Sequence, residues 1–206
     1  MKRLAWLPAL LALMTVSSAD AARQARCDQP FQAVFRNGSE LHLDIRAGDI
    51  EIVGSDDAMV HVTCEVDRDD RADTIAISFE DNGKSGRLQI TGGPKNGVRV
   101  RIRVPRESDL VVRCTAGDLD LLGVRGHKDV SLRAGDLTID VGNPADYASA
   151  EASVKAGDLD AVAFGVHKGG LFRSFRHENR GGKYRLRASL WAGDITLQGS
   201  RQLSSR

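Results

Sequence analysis

A tetrapeptide, Ala-Gly-Asp followed by Ile or Leu, occurs five times in this chain of 206 residues, and it limits the possible folds more than any other feature. Successive copies place their glycines 69, 18, 22 and 36 residues apart. Recurrence at this scale is typical of stacked-repeat architectures, because one such unit cannot bury its own apolar side and must pack on a neighbour. The repeated turn residues are Gly48, Asp49, Gly117, Asp118, Gly135, Asp136, Gly157, Asp158, Gly193 and Asp194.

The residues that flank each copy alternate between apolar and polar. Leu132 and Leu137 are apolar, whereas Arg133 and Asp136 between them are polar. A period of two residues indicates a strand, so each unit is predicted to be a strand, a corner and a second strand. Glycine can adopt a positive φ at the corner. The aspartate is expected to accept a hydrogen bond from a backbone N–H of its own turn.

Stacked units of this kind predict an all-β protein. We expect a single-stranded parallel β-solenoid whose regular repeats cover residues 109–198, right-handed by the usual rule for parallel crossovers. In the earlier half, the alternation from Val98 to Pro105 and the turn signals at Asn82-Gly83 and Gly92-Gly93 predict that the domain opens with antiparallel hairpins. No helix is predicted after residue 21.

The N-terminus has the pattern of a secretory signal peptide. Lys2 and Arg3 precede the apolar run Leu4–Val16, and Ala19-Asp20-Ala21 supplies a small-residue cleavage site. The run is too short to span a bilayer comfortably, and no later apolar stretch could do so. The sequence therefore predicts a signal peptide over residues 1–21, a single domain over 22–206, no transmembrane segment after cleavage, and a periplasmic or secreted location.

Charge narrows the possible partners. Cleavage at this site leaves equal numbers of basic and acidic residues, which argues against a nucleic-acid binder. One segment, residues 168–187, is nevertheless basic, with aromatic residues interleaved. It could hold the phosphate, sulfate or uronate groups of a polymer, or it could be a solvated strand face. Its cations are Lys168, Arg173, Arg176, Arg180, Lys183, Arg185 and Arg187.

Motifs for catalysis are absent from the sequence. There is no nucleophile elbow, phosphate loop or zinc pattern, so no catalytic residue, metal or cofactor is assigned. His127-Lys128 and His167-Lys168 recur before repeat strands and are interpreted as equivalent exposed turns.

Eight carboxylates occupy outward-facing positions of the predicted strands and corners. They could bind Ca²⁺, but the preferred interpretation is that each caps its own turn and pairs with a nearby cation. They are Asp49, Glu51, Asp118, Asp120, Asp136, Asp158, Asp160 and Asp194.

Three cysteines permit at most one intrachain disulfide, and an exported protein can form it. Cys114 stands two residues before the alanine of its Ala-Gly-Asp copy, the same inward-facing position as Leu132 and Val154, which favours a place in the core. Cys27 lies near the start of the exported chain, where a bond to Cys64 would fix a segment that has little else to hold it. We predict a Cys27–Cys64 disulfide and a buried free thiol at Cys114.

Three stretches together resemble a known family. They are Val98-Arg-Val-Arg-Ile-Arg-Val-Pro105, Leu110-Val111-Val112 and Ala116-Gly117-Asp118-Leu119-Asp120-Leu121, followed by the further Ala-Gly-Asp copies. The chain resembles the bacterial putative-adhesin β-strand-repeat family, an exported domain of unknown function, over roughly residues 40–198. The resemblance implies a β-solenoid on an exported or membrane-associated protein, and it implies no enzyme.

The preferred hypothesis is a non-catalytic exported module with an interaction or structural role in the cell envelope, adhesin-like, whose partner is an envelope protein or a glycan. One alternative is a polysaccharide lyase or hydrolase that uses outward-facing carboxylates of the repeats together with Lys155 as the base. The other is anionic-polymer binding through residues 168–187. The carboxylates of the enzyme hypothesis are Asp118, Asp120, Asp136, Asp158 and Asp160.

Overall fold

The computed structural model describes residues 23–67, 69–94 and 97–199, so the predicted signal peptide lies outside the described residues. These residues form strands and short 3-10 helices with no α-helix among them, which confirms the all-β prediction. The 3-10 helices are Asp69–Thr74, Pro144–Asp146 and Val162–Phe164. The strands are β1 (Arg23–Arg26), β2 (Phe31–Val34), β3 (Glu40–Ala47), β4 (Asp49–Ser55), β5 (Met59–Val66), β6 (Ile75–Asp81), β7 (Ser85–Gly92), β8 (Val98–Pro105), β9 (Asp109–Ala116), β10 (Leu119–Leu122), β11 (Lys128–Ala134), β12 (Leu137–Gly142), β13 (Tyr147–Ala156), β14 (Leu159–Ala161), β15 (Val166–Lys168), β16 (Leu171–Glu178), β17 (Tyr184–Ala192) and β18 (Ile195–Gly199).

The strands build two nine-stranded sheets around one apolar core. Sheet A has the order β1-β6-β7-β3-β9-β11-β17-β13-β16, and sheet B has the order β15-β14-β18-β12-β10-β4-β8-β5-β2. The middle of each sheet is parallel, from β7 to β13 in sheet A and from β14 to β8 in sheet B. The pairs at the sheet edges are antiparallel. Of the two predicted turns, Asn82-Gly83 joins β6 and β7 in an antiparallel hairpin, whereas Gly92-Gly93 leads from β7 in sheet A to β8 in sheet B.

The alternating pattern of the sequence explains how the sheets enclose the core. In sheet A, one inward row runs straight across the parallel strands, and every member is buried. A strand places successive side chains on opposite faces, so the residues before and after each member point to solvent; all of them are polar except Trp191. The row consists of Ile45, Cys114, Leu132, Leu190 and Val154.

The stacking order of the repeats differs from the prediction. Each repeat contributes one strand to each sheet, but β17 and β18 lie between the β11/β12 and β13/β14 repeats instead of beyond them. The first copy, β3 and β4, also belongs to the regular stack, which therefore extends outside residues 109–198. A single chain wound coil upon coil in sequence order does not describe these mixed sheets.

A physical reason for this order lies in the segment between β14 and β17. Strands β15 and β16 pair antiparallel with the outer edges of β14 and β13. Those edges are therefore occupied, and the last repeat pairs with the inner edges instead.

A disulfide joins the two sheets at one end of the molecule. Cys27 follows β1, and its backbone N–H donates to the carbonyl of Ile75 at 3.1 Å on sheet A. Cys64 lies in β5 of sheet B, and the two cysteines are bonded with their Cα atoms 5.4 Å apart. Cys114 is a free, buried thiol. Both cysteine predictions are confirmed.

Candidate functional site

The Ala-Gly-Asp corners connect sheet A to sheet B and stack directly on one another. In space their glycines follow the order Gly48, Gly117, Gly135, Gly193 and Gly157, each with φ between 106° and 134°. The Gly117 N–H donates to the carbonyl of Ala134 at 3.0 Å, and the Gly48, Gly135 and Gly193 corners repeat this bond, whereas the Gly157 N–H donates to the carbonyl of Gly170. A Cβ on any of the last four would overlap the backbone carbonyl of the preceding glycine. Backbone conformation and lack of space therefore both require glycine here.

The corner aspartates form a ladder between repeats. The carboxylate of Asp118 accepts the N–H of Asp136 at 3.1 Å, that of Asp136 accepts the N–H of Asp194 at 3.0 Å, and that of Asp194 accepts the N–H of Asp158 at 2.7 Å. The expectation that each aspartate caps its own turn is thus wrong for these three, because each caps the next corner in the stack.

The other outward carboxylates have separate surroundings. Glu51 pairs with Arg101 at 3.1 Å, and Asp160 contacts the His167 ring, whereas Asp49 and Asp120 are exposed. Among the described residues, no group of three or more His, Cys, Asp or Glu side chains is arranged to hold a metal ion.

The groups of the enzyme hypothesis are not brought together. The Lys155 ammonium lies on the outer face of sheet A, 3.7 Å from the centroid of the Trp191 ring. Asp120 and Asp160 lie on strands of sheet B, and the Asp158 carboxylate accepts the N–H of Gly170 at 3.3 Å. No specific observation favours catalysis by this set.

The basic segment 168–187 is divided between several surroundings. Arg176 and Arg187 both approach the Glu151 carboxylate, at 2.5 and 4.0 Å. The Lys168 ammonium donates to the backbone carbonyl of Ser174 at 2.7 Å. Two of the seven cations of the predicted site are therefore partly neutralised by one acid.

Of the remaining cations of that segment, Arg185 lies beside this cluster, two residues before Arg187 on the same face of β17. Arg173 is in register with the inward residue Val154, on the opposite face of β16 from Arg176. The Lys183 ammonium lies 5.2 Å from the centroid of the Tyr184 ring. Arg180 follows the end of β16. The seven cations of the segment therefore do not all lie on one face.

An open groove crosses the outer face of sheet A. We call it the sheet-A groove, and its volume is about 660 Å³, within the usual range for ligand-binding clefts. Two parallel rows of outward side chains line its centre. The first row, formed by the residue directly before each Ala-Gly-Asp, is Arg46, Thr115, Arg133, Trp191 and Lys155; the second is Asp44, Arg113, Ser131, Ser189 and Ser153.

The groove has an excess of positive charge. Within the part of the chain that the structure describes, no acidic side chain pairs with Arg46, Arg133 or Lys155. The nearby acids already have partners, since Asp44 contacts Arg87 at 3.2 Å and Asp129 contacts Arg113 at 3.0 Å. Three cations are therefore available to an anionic ligand.

The centre of the groove combines an aromatic ring with hydroxyl groups. Trp191 is 55% exposed, which is unusual for so large an apolar side chain. Beside it, the hydroxyls of Ser131 and Ser189 are 2.9 Å apart, and Ser153 continues their row on the next strand. The side chains of this serine row are short, and the larger indole ring lies beside them.

Sequence reasoning did not find this groove, although a signal was present. The residue directly before each Ala-Gly-Asp copy is never acidic, and three of the five are Arg or Lys. Aligning the five repeats by their corners would have placed these side chains in one outward row.

Lys128 differs from the exposed turn that was expected. It is only 2% exposed, and its ammonium donates to the Tyr147 hydroxyl at 2.6 Å. Burial lowers the pKa of Lys128 to about 8 and raises the pKa of the Tyr147 hydroxyl. Both directions follow from the cost of keeping a charge away from water.

Comparison with known proteins finds weak similarity to solved structures. No protein-family model and no curated protein matches the chain. A putative cell adhesion protein from Clostridium sporogenes is similar in structure, with a TM-score of 0.48 and 13% identity over 84% of this chain and 99% of that one. A putative adhesin from Bacteroides fragilis is similar at a TM-score of 0.35 and 8% identity, over 87% of this chain and 99% of that one.

No helix in the described residues is long and apolar enough to cross a membrane.

Proposed function

We propose that the protein is an exported, non-catalytic interaction module of the cell envelope, adhesin-like in role, which presents the sheet-A groove to its partner. The observation that carries this proposal is a row of three cations that pair with no acid among the described residues, together with an exposed tryptophan, on one face of a double sheet. A scaffold with hydrogen-bonded corners holds these side chains at fixed spacing, which reduces the entropy lost on binding.

Retention on cell envelopes tests this role. Labelled purified protein is mixed with washed bacterial envelopes at physiological salt and sedimented. We expect the wild type to be retained and the triple variant Arg46→Ser/Arg133→Ser/Lys155→Ser to lose most of that retention.

A matched variant controls for net charge. Arg99→Ser/Arg101→Ser/Arg103→Ser removes the same charge from exposed positions of β8 in sheet B, and it should be retained like the wild type. Equal retention of the two triple variants would contradict a role for the groove. Absence of wild-type retention would contradict the envelope-binding role itself.

A further inference from the structure

We infer that the sheet-A groove binds an anionic polysaccharide in an extended conformation, lying across the strands with its acidic groups on Arg46, Arg133 and Lys155. This inference rests on the proposed function, because it names the ligand class of that same surface. It is argued from the spacing of the cations, the aromatic ring and the serine floor.

The cations recur at a regular distance. Arg46, Arg133 and Lys155 lie on β3, β11 and β13, so one strand separates each from the next in sheet A. Neighbouring strands are about 4.8 Å apart, which places the Cα atoms of successive cationic residues roughly 10 Å apart. Two sugar rings in an extended polysaccharide span a similar length. The row therefore matches a polymer that carries one acidic group on every second sugar.

The tryptophan lies between two of these cations. Trp191 is on β17, the strand between those of Arg133 and Lys155. Because the Lys155 ammonium covers one face of the indole at 3.7 Å, a ligand can reach only its other face and its edge. An aromatic ring in this position offers a flat apolar surface to the C–H groups of a sugar, while the flanking cations hold its acids.

The serine row suits a ligand rich in hydroxyl groups. Ser131, Ser189 and Ser153 follow each other on adjacent strands along the floor. Each hydroxyl can donate one hydrogen bond and accept others, and so can pair with sugar hydroxyls of either orientation. Single-stranded nucleic acid is bound on several stacking aromatics, whereas Trp191 is the one aromatic residue among the described residues that line this groove.

The geometry also sets a minimum ligand length. From β3 to β13 there are four strand spacings, about 19 Å in all. With one acid on every second sugar, three acids require five consecutive sugars, so in a polymer of disaccharide repeats the hexasaccharide is the shortest oligomer that can pair with all three cations. A disaccharide carries one acid and a tetrasaccharide two, so binding should strengthen steeply up to the hexasaccharide and weakly beyond it.

Titration with hyaluronan oligosaccharides, in which every second sugar is a uronate, tests the inference by calorimetry at physiological salt. We expect the hexasaccharide and longer oligomers to bind, and the carboxyl-reduced oligomers to bind at least about tenfold more weakly. Trp191→Ala should weaken binding about tenfold, and Trp191→Phe much less. The Arg46→Ser/Arg133→Ser/Lys155→Ser variant should not bind, whereas Arg99→Ser/Arg101→Ser/Arg103→Ser should bind normally.

Polyglutamate, single-stranded DNA and phosphatidylglycerol vesicles serve as anions without the sugar pattern. If any of them binds as tightly as the oligosaccharides, and Trp191→Ala leaves this unchanged, the inference is wrong and the groove is a general anion surface. If envelopes retain the protein through the groove but no hyaluronan oligomer binds, the inference fails while the proposed function stands. If oligomers bind but envelopes retain nothing, the envelope role fails instead.

Discussion

At the scale of single residues, Gly135 shows what the corner demands. Its φ is 122°, and a Cβ there would overlap the carbonyl of Gly117. Gly83 also has a positive φ, 79°, but open space around it. We expect Gly135→Ala to lower the free energy of unfolding by about 3–5 kcal/mol, from backbone strain and overpacking together, and Gly83→Ala by only about 1–2 kcal/mol. Urea denaturation measures both, and equal losses would contradict a crowded corner.

Asp136 contributes to stability through the neighbouring repeat. Its carboxylate accepts the Asp194 N–H at 3.0 Å at an exposed corner. Asp136→Ala should therefore cost about 1 kcal/mol, and Asp136→Asn, which keeps an acceptor oxygen, should cost less. Hydrogen exchange at the Asp194 amide should accelerate in the alanine variant. Unchanged exchange there would show that the ladder does not protect this amide.

Lys128 should make stability depend on pH. Its pKa in the folded protein is about 8, against an ordinary value of 10.5. Between these values the unfolded chain holds a proton that the folded chain has lost, so the free energy of unfolding rises with pH in this window. Lys128→Met should remove a rise of about 2 kcal/mol between pH 7 and 10.

The exposed Lys183 gives the matched control for this pH dependence. Lys183→Met should keep the rise between pH 7 and 10. Above pH 10 the free energy of unfolding should fall again. Burial raises the pKa of Tyr147, so this tyrosine loses its proton at a lower pH in the unfolded chain than in the folded protein. Identical pH profiles for the wild type and Lys128→Met would show that Lys128 titrates normally.

At the scale of elements, the Cys27–Cys64 bond fastens the segment after β1 to β5 in the other sheet. It closes a loop with a sequence separation of 37. Cys27→Ser/Cys64→Ser should lower the free energy of unfolding by about 4 kcal/mol in the chain-entropy model. Reductant should lower the wild-type melting temperature and leave that of the double variant unchanged.

Peptide mapping after alkylation of the native protein checks the pairing directly. Burial raises the pKa of the Cys114 thiol, so Cys114 should react slowly until the protein unfolds. Alkylation of Cys27 in the native, unreduced protein, or a crosslinked peptide containing Cys114, would contradict the assignment.

At the scale of the whole molecule, the order of the repeats makes the fold dependent on its last strands. In a solenoid wound in sequence order, removing the final coil leaves the other coils paired. Here β17 pairs with both β11 and β13, so its loss leaves a gap inside sheet A. A chain that ends at Gly182 should therefore show no cooperative thermal transition.

A chain that begins at Cys27 is the control for this truncation, because it lacks only the edge strand β1 among the described strands. Circular dichroism should show that it keeps a cooperative transition. A cooperative transition in the chain ending at Gly182 would mean that β11 and β13 can close the gap, and that the repeat order is not essential.

The sequence by itself determined the all-β class, the glycine corners, the choice of Cys27 and Cys64 as partners, and the inward place of Cys114. These features depend on local alternation and on distance along the chain, which a single sequence displays. The tertiary structure decided the order of the repeats and the hydrogen bond from the next corner to Asp136. It also decided that Lys128 is buried and that Trp191, Arg133 and Lys155 line one groove. Every repeat presents the same inward apolar pattern, so periodicity cannot specify which distant strands pair. In the folded protein, β16 and β15 occupy the outer edges of β13 and β14, so β17 and β18 pair with the inner edges of those strands.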